Sequence, residues 1–251
     1  MKKLTNIRVI YLVPVVLLLI PATSFAIPQI NLSIGGEEGP SNLVEGMKIL
    51  GLLTVISLAP AILMSMTSFM RIVIVFSFLR QAIGTQQVPP NQVMIGLSLF
   101  LTVFIMAPIA QKINNDAIEP YRQEQIGEEE AIAKGTAPLK EFMLAHTREK
   151  DLMLFYDISK TPLPNDRDDI VMKVLVPSFM ISELKTAFEM GFMLFIPFIV
   201  LDIAIASLLM SMGMIMLPPA LISLPLKLML FVVVDGWNLI VGSIVRSFMV
   251  N

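Results

Sequence analysis

The sequence predicts an all-α, membrane-associated chain of helical hairpins with a small helical domain held outside the membrane. Three observations carry this. Of the 251 residues, 55% are hydrophobic and only 15% charged, with a mean hydropathy of +0.78. A soluble domain of this length needs far more charge on its surface. The apolar residues gather into long runs over 43–79, 93–109, 174–217 and 220–250, punctuated by proline. Between the second and third runs lies a polar stretch, 112–173, with nine Lys and Arg against thirteen Asp and Glu. It has too few apolar residues to span a bilayer.

The elements follow in order. Residues 1–26 read as a secretory signal: Lys2, Lys3 and Arg8 precede the apolar core VIYLVPVVLLLI, and Ser24 and Ala26 stand at −3 and −1 of a cut after Ala26. An uncleaved first membrane helix is the alternative. A short tail, 27–42, rich in Gly, Pro and acid, would then lie in a periplasm-like space. The N-terminal hairpin, 43–111, opens with a run too long for one span of ~20 residues. It contains Pro60 and the polar patch Ser65-Met66-Thr67-Ser68, so two helical pieces with a break near 60–68 are expected. Arg80 makes the following loop basic and therefore cytoplasmic. The run after Pro89-Pro90 crosses once, which leaves the acidic domain, 112–173, outside.

That domain is more than a linker. Leu139, Phe142, Met143 and His146 recur at helical spacing, and Leu152, Phe155 and Tyr156 form a second apolar patch. Both patches fit small helices packed on one another or on a neighbouring subunit. The C-terminal hairpin, 174–251, carries a second turn at MLPPALISLPLK; Lys227 agrees with a cytoplasmic placement of that turn. Hydropathy by itself gives four membrane-length arms.

Composition excludes much chemistry. Cysteine is absent, which removes disulfides, thiolate catalysis and Cys-based metal sites, and the single histidine, His146, cannot make a metal cluster or a His-dependent triad without unusual partners. No nucleophile elbow, zinc-binding H-E-x-x-H or Gly-rich phosphate loop occurs. DRDD at 166–169 lacks calcium-loop spacing and reads as a solvated turn. A net charge of −2 offers nothing to nucleic acid. No enzyme, metal or cofactor is expected.

The buried charges are more informative. From Pro177 onward, Glu183, Lys185, Glu189, Asp202, Lys227, Asp235 and Arg246 interrupt apolar sequence. Each isolated charge in hydrocarbon costs on the order of 3 kcal/mol, so these groups pair in a polar interior or the helices are not in lipid. Lys185 and Glu189 are i, i+4. Glu183 and Lys227 lie on different arms and would bridge between arms or between subunits. Gly191, Gly236, Gly242 and Ser243 are small enough for close helix approach.

Three stretches, SFMRIVIVFSFLRQAIGTQQVPPNQVMIGLSLFLT, SELKTAFEMGFMLFIPFIVLDIAIAS and MGMIMLPPALISLPLKLMLFVVVDGWNL, resemble the FliP family. The resemblance extends from Leu43 to the C-terminus. It implies a core subunit of the flagellar type III protein export gate. Such a subunit forms a five-copy ring with FliQ and FliR, among other export-apparatus membrane proteins, in the inner membrane and on its periplasmic side at the basal body. It would pass unfolded flagellar substrates and contact the lipid bilayer. The family's hairpins are bent and sit largely above the bilayer plane, which suits the seven charges better than four spans. The resemblance also places Glu183, Lys227, Phe142 and Phe155 at subunit contacts. It makes Met212, Gly213, Met214, Ile215 and Met216 a pore gasket, with Ile215 where members often carry methionine. The injectisome counterpart is the alternative, and a proton-coupled transporter using Asp202 and Asp235 is a rival of another class.

The gasket stretch, SLLMSMGMIMLPP, places methionine at every second position from Met210 to Met216. Alternation suits a strand, but Gly213 and Pro218-Pro219 predict that a long helix ends here in a loop.

Overall fold

In the computed structural model the described residues are 40–85, 88–164, 166–214 and 216–249. The signal segment 1–26, most of the tail, and Ile215 lie outside them. By its contacts the chain divides into residues 1–52 and 53–251. The described part of the first is the start of helix α1, Pro40–Met66. Every regular element among the described residues is helical.

The expected break falls at Thr67-Ser68. Pro60 stays inside α1, where it costs one backbone bond. At the break, hydroxyls compete for the backbone: Ser65 Oγ donates to the Ile62 carbonyl at 3.2 Å, and Thr67 Oγ1 accepts from the Phe69 amide at 3.3 Å. Helix α2 then runs Phe69–Ile83 and ends on Gly84 at φ 87°, a left-handed cap that glycine adopts without strain. Its buried stripe, Ile72, Val75, Phe76, Leu79 and Ile83, has helical spacing and packs along α6, Met172–Ser211. Buried Leu175, Phe179 and Ala187 of α6 complete this seam.

Helix α3, Asn91–Ile113, does not stop at the apolar-to-polar boundary near residue 111. It passes through a π-helical turn, Asn114–Ile118, into Glu119–Arg122. Loss of apolar side chains changes what surrounds a helix, not its internal hydrogen bonding. The polar stretch then gives α4, Glu128–Ala145, and α5, Glu149–Ser159, each with acids in its first turn, where the helix dipole favours them. This hairpin has no separate core. Phe142 and Met143 of α4 join the cluster formed by α2 and α6, and α5 packs on α6.

The last apolar run is two helices, α7 (Pro219–Val233) and α8 (Gly236–Met249), bent by 64°. The bend sits at Asp235, with φ 52°, and depends on Gly236. A Cβ there would meet the Phe231 ring at 2.2 Å, and one on Gly191 would meet Phe78 at 2.4 Å. Close approach is thus real at Gly191 and Gly236, whereas Gly242 has nothing within 4 Å. Among the described residues two helices are long and apolar enough to cross a membrane, Asn91–Arg122 and Met172–Ser211, or three if the bent pair counts as one. Of the four arms that hydropathy gives, the second and third are single helices here, the last is bent, and the first is broken at Thr67-Ser68 into α1 and α2.

Gly191→Ala is expected to destabilise the chain by about 1–3 kcal/mol through overpacking on Phe78, whereas Gly242→Ala leaves stability within about 0.5 kcal/mol or raises it. Thermal unfolding of the purified chain in detergent ranks the two, and equal effects would contradict this packing.

Candidate functional site

The seam buries a cation, Arg71 on α2, only 3% exposed. Its guanidinium grips Glu183 of α6 bidentately, Nε donating to Oε2 at 2.8 Å and Nη2 to Oε1. Nη1 donates to Ser247 Oγ of α8 at 2.8 Å and to the Ser247 carbonyl at 3.3 Å. The Phe248 ring lies 3.8 Å from the guanidinium carbon, a cation–π contact. One cation thus ties α2, α6 and α8 together. Glu183 is wholly buried, so the pair survives only because nearly every polar atom finds a partner.

The α4–α5 hairpin fastens beside Glu183, at the neighbouring Ser182. The Arg148 amide donates to Ser182 Oγ, and its guanidinium to the Ser182 carbonyl, both at 3.0 Å. Ser182 Oγ in turn donates to Asp151 Oδ2 at 2.7 Å. Above this, Phe142 and His146 pack on Phe248, with centroids 6.1 and 5.1 Å away.

A second ion pair lies toward the far end of α6. Lys227 Nζ of α7 donates to Asp202 Oδ2 at 2.6 Å. The lysine side chain is 9% exposed and the carboxylate 42%. Gly84, Ala206, Ser223 and Leu224 line an open pocket of about 330 Å³ beside it. Between Asp202 and Lys227 along the chain comes the methionine stretch. Helix α6 ends there in a Schellman motif: the Met214 amide donates to the Leu209 carbonyl at 3.0 Å and the Gly213 amide to that of Met210 at 3.1 Å. Gly213 has φ 76°, the left-handed turn the motif requires. The alternation therefore belongs to a helix cap followed by a loop. Met212 and Met216 stand out at 69% and 98% exposed, and Met214 is partly covered at 37%.

The structure sorts the predicted residues. Glu183 and Lys227 do not pair with each other within the chain: Arg71 takes the first and Asp202 the second. Lys185 and Glu189 do pair, at 3.7 Å on an exposed face, where such a bridge contributes little. Asp235 and Arg246 are exposed. Phe142 is buried and Phe155 half-buried beside exposed Leu154 and Ile158. Sequence reasoning missed Arg71, Ser247 and Phe248 as one unit. The available signal was Arg71 itself, a lone cation inside an apolar run that needs an acid in another run.

This arrangement defines a class first: an all-α, membrane-embedded protein whose buried charges, Arg71, Glu183 and Lys227, are paired across its arms. The chain belongs to the FliP family, which matches residues 52–244. It is 54% identical over 217 residues to the flagellar biosynthetic protein FliP of Bacillus subtilis (strain 168), covering 86% of this chain and 98% of that one. It is 53% identical to the protein of that name from Aquifex aeolicus (strain VF5), over 88% and 92% of the two chains. With that of Caulobacter vibrioides identity is 49%, over 92% and 86%. The resemblance seen in the three sequence blocks is borne out.

Glu183→Gln strands a buried guanidinium and is expected to cost about 3–5 kcal/mol, most of it recovered in the apolar double variant Arg71→Met/Glu183→Leu. Lys227→Ala leaves Asp202 with access to water and costs about 1 kcal/mol or less. Unfolding of the purified variants in detergent checks the ranking, which similar losses for Glu183→Gln and Lys227→Ala would contradict.

Proposed function

We propose that the chain is a core subunit of the flagellar type III protein export gate. It assembles in a ring of five copies with FliQ and FliR and encloses a pore for unfolded flagellar proteins. The observation that carries this reading is the α6–α7 junction. A membrane-length helix ends in a capped, glycine-hinged loop that presents Met212, Met214 and Met216 to the surroundings, in a chain of the FliP family.

Methionine is unbranched, flexible and polarizable, so its contacts reform against varied surfaces. A ring of such loops closes against ions when empty and yields to any polypeptide threaded through it. The cap supports that role: a Schellman end is internally satisfied, so the loop moves without exposing unpaired backbone. Residues 212–216 are the gasket, and Ile215 keeps the seal apolar.

The apolar surface also supports assembly. Phe188, Phe192, Met193, Val200 and Ile203 lie exposed along α6, more than a monomer leaves uncovered in water. Lipid and neighbouring subunits cover it. In the external domain, on the periplasmic side of the inner membrane, Phe155 with Leu154 and Ile158 forms the subunit contact. Phe142 and Glu183 are engaged within their own chain and act at that contact by holding its surface in place; Lys227, bound to Asp202, acts at the subunit contact nearer the α6–α7 junction. The proton-coupled transporter reading loses ground, since Asp202 is already bound by Lys227. The names of the relatives, all flagellar, favour the flagellar over the injectisome reading.

Met214→Ala and Met216→Ala are expected to raise ion leakage through the assembled complex while its yield holds. Conductance of the reconstituted complex is the measurement, and background leakage in both variants would overturn the gasket assignment.

A further inference from the structure

His146 is the one histidine of the chain, and its surroundings suit only the neutral ring. It caps α4, with Nδ1 2.8 Å from the Phe142 carbonyl, so Nδ1 carries the proton and donates. Nε2 is buried and makes no hydrogen bond. The ring packs beside the stacked Phe142–Phe248 pair, 4.7 Å from the first ring and 5.1 Å from the second. Phe248 is the same ring that faces Arg71.

Among the described residues, the charges packed around it offer no free anion to a second cation. From α2 comes Arg71 itself. From α6 comes Glu183, but both its oxygens are taken by Arg71. From α5 comes Asp151, already bound to Ser182 and Arg148. On α4, Glu141 turns outward to Lys112 of α3 at 3.4 Å, and on α8 Arg246 is exposed. A protonated His146 would therefore bury a charge that no free carboxylate among the described residues offsets.

We propose that His146 is a pH-sensitive clasp joining the α4–α5 hairpin to the C-terminal helix α8. When neutral, it completes the aromatic stack on Phe248. When protonated, it forces that stack apart and loosens the hairpin from the arms it docks on. This reading stands on the packing within one chain and does not depend on the gate assignment.

Burial, with Arg71 nearby, holds the imidazole below its ordinary value of 6.5, partly offset by the Phe142 and Phe248 carbonyls. The sign follows. A base with a lowered native pKa binds more protons once released, so docking is fully stabilised above 6.5 and weakens as pH falls from there toward the native value. With one proton linked, the opening equilibrium rises by up to about tenfold per pH unit in that window.

The full-length chain, purified in detergent with a tag free of histidine, tests this directly. Carbon-13 labelling of histidine gives one ring signal, whose titration is expected to have a midpoint below 6.5. In the same window, amide exchange corrected for its intrinsic pH dependence is expected to accelerate in segments 139–151 and 240–249. Acceleration should be absent in His146→Phe, which keeps an aromatic ring and removes the proton. A midpoint at or above 6.5 overturns the proposal, as does equal acceleration in wild type and His146→Phe. Should that variant fail to fold, the wild-type pair of readouts decides: a low midpoint without local acceleration also overturns it.

Discussion

A buried guanidinium and a buried carboxylate each cost several kcal/mol to dehydrate, and their attraction repays this only when geometry is close to ideal. Arg71 and Glu183 meet that condition across the α2–α6 seam, and the remaining structure is arranged so that they can. Ser247 takes the nitrogen left over, Phe248 covers the guanidinium face, and both residues come from α8. The last helix thus has a defined docking point although much of its surface is apolar and unspecific. Apolar contact supplies cohesion along this seam, and the ion pair supplies register. A slip of α2 along α6 by one turn would leave two bare charges in the core.

The same logic explains how the polar region can be ordered with so little apolar content. Helices α4 and α5 bury Phe142, Met143 and Tyr156, too few for an independent core. They borrow the core of the arms instead, and they attach beside the ion pair through Ser182, one residue before Glu183. The α4–α5 hairpin and the apolar arms consequently share one junction. A disturbance there is felt on both sides, which is why one histidine at this point has consequences beyond its own helix.

The far end of α6 is built differently. Lys227 and Asp202 join α6 to α7, but the carboxylate faces water, and the intervening loop has little packing. The helix closes its own backbone through the Gly213 cap, leaving the methionines to make whatever contacts their surroundings offer. Dense packing near Arg71 and sparse packing near Gly213 are thus found along one 40-residue helix.

Much of this was legible in the sequence. Helical class, the break between α1 and α2, the loop after α6, and the requirement that buried charges find partners all follow from composition, spacing and proline or glycine chemistry. These are local properties, or costs that hold wherever the chain folds. Family membership was legible too, because long ordered blocks carry it. What the sequence left open was which charge meets which. Glu183 and Lys227 were equally plausible partners by distance along the chain, and only the tertiary packing assigns Arg71 to one and Asp202 to the other. Likewise the 64° bend in the last arm and the continuation of α3 past its apolar stretch are invisible to hydropathy. Hydropathy records transfer cost residue by residue, whereas pairing and bending depend on groups brought together from distant parts of the chain.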